Sequence, residues 1–120
     1  MPRKPVVLVV EPDRDSRSAL GLLLADWGFK ARLADGGGMV AASAEGTKPS
    51  ACIVFLDSWK CPRERDAARE WICSRAEQIP TMIVTADFGD VGFDRAGCEN
   101  CVVVSKPVAP GRIRSFLDQL

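Results

Sequence analysis

The chain has 120 residues, of which 47% are hydrophobic, with 16 Lys+Arg balanced by 16 Asp+Glu and no histidine. That length is one ordinary domain with room for a real core. The even charge gives neither the basic stripe of a nucleic-acid binder nor the acidic excess of a disordered tail, and the missing histidine excludes a phosphohistidine role and any His-based triad.

No stretch approaches the roughly 20 apolar residues of a membrane span. The first apolar run, Val6 to Val10, is too short for the core of a signal peptide, so a cytoplasmic location is the expectation. That same run reads as the first strand. Glu11-Pro12-Asp13 follows it directly. A first helix is predicted from about Asp15 to Trp27, because Leu20, Leu23, Leu24 and Trp27 recur on one face. Asp13 or Asp15 suits its N-cap and Gly28 its end. Phe29 to Ala34 alternates apolar and polar residues, the pattern of a half-exposed edge strand.

Asp35 to Gly46 is weakly helical, and Gly36-Gly37-Gly38 lacks the spacing of a nucleotide loop. Ala51-Cys52-Ile53-Val54-Phe55-Leu56-Asp57 is an apolar run ending on one acid, as a strand buried on both faces does. A loop from Ser58 to Pro62 precedes a helix over about Arg63 to Glu77, which Pro80 closes off. Thr81 to Thr85 is the fourth strand. Ala86 to Gly97 holds three glycines, so a helix there is short or irregular. Cys101 to Ser105 is the fifth strand, ended by Lys106-Pro107. Pro110 opens a last helix with Ile113, Phe116, Leu117 and Leu120 on one face. The chain stops where that helix ends, which leaves room for a further domain beyond it.

Strands alternating with helices give a parallel sheet covered on both faces. Five cysteines, an odd number with no export signal, fit reduced thiols. Cys98 and Cys101 have CxxC spacing. A closed zinc site needs four ligands, and the chain has neither histidine nor a second such pair. Its pair also precedes a strand, whereas a thioredoxin-like pair opens a helix. Incidental thiols are the simpler reading.

Four polar residues fall at equivalent places. Glu11 follows the first strand, Asp57 ends the third, Thr85 ends the fourth and Lys106 follows the fifth. Each alone reads as a cap or a solvated side chain. In a doubly wound sheet of order 2-1-3-4-5, all four converge on the crevice where such folds bind ligands. Two carboxylates, a hydroxyl and an ammonium suit a hard cation beside a phosphoryl group.

With these residues in place, the chain resembles the receiver domain of two-component response regulators over essentially its full length. The segments that carry the resemblance are Leu8-Val9-Val10-Glu11-Pro12-Asp13 with Arg17, Phe55-Leu56-Asp57, Val84-Thr85-Ala86, Ala96-Gly97 and Lys106-Pro107. The resemblance implies a flavodoxin-like fold and a phosphorelay protein that is not an enzyme in its own right. It makes Asp57 the acceptor of a phosphoryl group from a histidine kinase. Glu11, Asp57 and the carbonyl of Trp59 would hold Mg²⁺. Thr85 would be the switch hydroxyl and Lys106 the cation bonding the acceptor, before a peptide that is often cis in the family. It also implies a homodimer through the face of the fourth and fifth helices.

Four departures bear on mechanism. Pro12 stands where the family has a second acid, which weakens the Mg²⁺ site. Pro62 is five residues past Asp57 rather than four. Val103 takes the place of the aromatic switch residue, and the fourth helix is rich in glycine. A second reading therefore stands beside the first: a pseudo-receiver that binds a partner or ligand without phosphorylation. A haloacid-dehalogenase-like phosphatase expects an aspartate at Trp59, and a flavodoxin a hydroxyl-rich loop at Glu11-Pro12-Asp13; both fit poorly.

Overall fold

A computed structural model describes residues 5–35, 48–55, 79–85 and 101–120. Its strands are β1 (Val6–Val10), β2 (Lys30–Ala34), β3 (Ala51–Phe55), β4 (Thr81–Thr85) and β5 (Cys101–Ser105). Its helices are α1 (Arg14–Asp26) and α2 (Pro110–Leu117). The strands form one sheet of order β2-β1-β3-β4-β5, every pair parallel. This is the flavodoxin-like order that the sequence predicts.

The register explains the two-faced burial. Val7, Val9, Ala51, Ile53, Phe55, Met82, Val84 and Val104 point to one side and pack with Leu20 and Leu24 of α1 and Ile113, Phe116 and Leu117 of α2. Residues of the other parity, Leu8, Val10, Cys52, Val54 and Ile83, are equally buried. Both faces are thus covered, which is why three central strands carry apolar runs without alternation. The helices predicted over Asp35 to Gly46, Arg63 to Glu77 and Ala86 to Gly97 fall outside the described residues.

Helix α1 starts one residue earlier than the sequence pattern suggests, because Asp13 is its N-cap. The Asp13 carboxylate accepts a hydrogen bond from the Ser16 backbone N–H at 2.9 Å. Gly28 follows at φ +90°, a left-handed conformation that glycine adopts without strain and that turns the chain into β2. Pro110 occupies the first turn of α2, where its lost N–H costs nothing. Leu120 departs from the expected apolar face. The helix ends at Leu117, so Leu120 lies past the last turn and is 48% exposed. The helices share one side of the sheet, and the Arg114 guanidinium lies 5.3 Å from the Trp27 ring centroid.

Candidate functional site

The strand register aligns the carboxyl ends of four strands. Val10 pairs with Val54, Phe55 with Val84, and Thr85 with Ser105. Glu11, Thr85 and Lys106 therefore follow one another along a single edge of the sheet, next to the end of β3. Asp57 and Trp59 fall outside the described residues; β3 ends at Phe55, two positions before Asp57.

Glu11 is only 3% exposed although it is an acid. Its backbone extends the ladder, with its N–H donating to Ala34 O at 2.9 Å. Its carbonyl accepts from the Arg17 guanidinium at 2.8 Å, and the carbonyl of Pro12 accepts from the same nitrogen at 3.5 Å. Arg17 thus fastens the β1–α1 loop from inside the first turns of α1. Sequence reasoning registered Arg17 as part of the pattern but gave it no role. Its place four residues after the helix cap, facing back toward the loop, is the signal that assigns one.

Thr85 is fully buried at the end of β4. Its carbonyl accepts a hydrogen bond from the Lys106 backbone N–H at 3.1 Å, which ties the two residues together across the strand ends. The Lys106–Pro107 peptide is cis. The Lys106 ammonium stands 5.8 Å from the centroid of the Phe55 ring. A cation over an aromatic face at this range is attracted to it. Phe55 is therefore a platform for Lys106, a role missed in the sequence. Two facts could have found it: Phe55 is the last residue of β3, and it shares its side of the sheet with Val104, two positions before Lys106.

Asp13 is the acid that directly follows Pro12. Its carboxylate is engaged by the helix cap. The Ser16 backbone bond, first, and the Ser16 side chain, next, hold it below the ordinary carboxylate value, and the positive charges of Arg17 and Lys106 add to this. Among the described residues, no three Asp, Glu, His or Cys side chains cluster to hold a metal ion. Pro12 contributes no carboxylate and one oxygen of Asp13 caps α1, so the described donors do not by themselves make a Mg²⁺ site. Val103, where the resemblance expects an aromatic ring, is a half-buried β5 residue.

Cys52 and Cys101 are free thiols. Cys52 is fully buried in β3, which pushes its thiol well above the ordinary range. Cys98 falls outside the described residues.

By sequence, the chain matches no family model and no curated protein. By structure it has many neighbours. A receiver domain protein from Methanospirillum hungatei, described as CheY-like, superposes with a TM-score of 0.77 at 17% identity, over 98% of this chain and 93% of that one. The chemotaxis protein CheY4 of Vibrio cholerae gives 0.73 at 18% identity, over 98% of each. The receiver domain of the hybrid histidine kinase CckA gives 0.64 at 18% identity, over 95% of this chain and 96% of that one. Strand order, register and these neighbours agree that the chain has the fold of a response regulator receiver domain.

Proposed function

We propose that the chain is a phosphorelay receiver in which Asp57 accepts a phosphoryl group from a histidine kinase. A carboxylate oxygen of Asp57 attacks phosphorus, the P–N bond of the phosphohistidine breaks, and the imidazole leaves. The new phosphoryl oxygens need positive charge and hydroxyl donors. Lys106 supplies the charge and Thr85 the hydroxyl. The observation that carries the reading is Lys106, anchored through its backbone to Thr85 and held over Phe55 beside the end of β3. Mg²⁺, when bound, would offset phosphate charge beside Glu11 and Asp57, with the Trp59 carbonyl as a further ligand. Lacking a carboxylate at Pro12, the chain would bind it weakly, since Mg²⁺ sheds water reluctantly.

The pseudo-receiver reading draws its support from the first loop. Pro12 gives no ligand, and an oxygen of the Asp13 carboxylate caps α1. One experiment separates the readings. The protein is treated with acetyl phosphate at several Mg²⁺ concentrations and its intact mass is followed, beside Asp57→Asn and Pro12→Asp. A phosphoryl adduct absent from Asp57→Asn, and formed at lower Mg²⁺ in Pro12→Asp, supports phosphoacceptance. An unmodified wild-type chain, with Pro12→Asp modified under the same conditions, supports the pseudo-receiver.

A further inference from the structure

We infer that the outer edge of β2 is a docking site for an extended, acidic-apolar segment of a partner protein, added to the sheet as a sixth strand. The inner edge of β2 is paired. Lys30 N–H donates to Pro5 O and Ala34 O accepts from Glu11 N–H, so residues 30, 32 and 34 turn their backbone groups toward β1. In a parallel ladder the intervening residues, Ala31 and Leu33, then aim theirs outward. Among the described residues no strand pairs with this row, and an open row of this kind is a template for another strand.

A groove of about 660 Å³ runs beside that edge, lined by Ser18, Gly21, Leu22 and Ala25 of α1 and by Phe29, Lys30, Ala31 and Leu33. It is a shallow, open groove, and Ser18, Gly21 and Ala25 of α1 leave room in it. A Cβ on Gly21 would meet the Leu33 side chain at 3.2 Å. Leu22 is 75% exposed and Leu33 42% exposed, two large apolar side chains left in water on one surface. A strand paired to Ala31 and Leu33 would send alternate side chains into this groove.

Charge selects the occupant. Among the described residues, Lys30 is the one charged residue lining the groove. Acidic residues alternating with apolar ones would meet it as the apolar ones bury. A second copy of the chain suits the edge less well. Antiparallel pairing of β2 with itself about its midpoint sets Arg32 against Arg32, and like charges directly opposite are destabilising.

The test uses the full chain and two blocked pentapeptides, acetyl-Val-Glu-Val-Glu-Val-amide and the same peptide with lysine for glutamate. Amide shifts and hydrogen exchange are read by NMR. The glutamate peptide is expected to shift and protect the amides of Ala31 and Leu33 and to bind at least tenfold tighter than the lysine peptide. Lys30→Glu should reverse that preference, and Gly21→Leu should abolish binding of both. Both variants are checked for an unchanged fold by circular dichroism. Ultracentrifugation tests self-pairing. The proposal is overturned if the glutamate peptide leaves both amides unprotected, if Lys30→Glu keeps the preference, or if the chain forms a dimer that Leu33→Asp dissolves.

Discussion

Asp13 shows how a single side chain sets the start of a helix. In a loop with Pro12 beside it, its carboxylate serves the helix, and its charged form is the one that accepts from Ser16. Its folded pKa is therefore depressed. A depressed carboxyl contributes stability above its unfolded value and loses it as pH falls through the folded value. The contribution is thus complete above about pH 3.8 and disappears below it. Asp13→Asn keeps a capping side chain but has no proton to gain. Urea melts at pH 7 and pH 3 should show a smaller acid loss in Asp13→Asn than in the wild type. Equal losses would mean that the cap does not depend on the charge.

At the scale of elements, α1 has two faces with different work. Leu24 is fully buried against the sheet, whereas Leu22, two positions away, stands in water. Leu24→Ala removes packed methyl groups and leaves a cavity, which costs about 2–5 kcal/mol. Leu22→Ala removes nothing from the core and should stay within about 0.5 kcal/mol of the wild type. Chemical denaturation of the two variants checks the contrast; a large loss for Leu22→Ala would mean that its exposed face is not exposed in solution. The helix was legible because leucines at 20, 23 and 24 are spaced for one stripe. Leu22 interrupts that stripe, and the period alone does not say whether an extra leucine is surface or interface. The end of α2 was less legible. Leu120 continues the spacing of Ile113, Phe116 and Leu117, but a periodic pattern does not record where hydrogen bonding stops.

For the whole molecule, the strand order was readable because each apolar run is short and the alternating run, Lys30 to Ala34, lies at an edge, opposite β5 at the other. The placement of Glu11, Thr85 and Lys106 along one sheet edge followed from that order. The Phe55 platform did not, since it depends on which side of the sheet Lys106 takes after β5. The same topology predicts how stability is distributed. Amides of β1, β3 and β4, flanked by strands on both sides, should exchange slowest, and the outward amides of Ala31 and Leu33 fastest. Residue-resolved hydrogen exchange measures this directly. Uniform protection across β2 would mean that its outer edge is already occupied.

The stack of Arg114 on Trp27 has a practical consequence. It joins the tail of the first helix to the last one, on the far side of the core from the strand tips that carry Lys106. An indole in that position is an optical gauge of whether these two helices stay together. With Trp59 and Trp71 replaced by phenylalanine, its emission would report the seam between them and remain silent about events at the crevice.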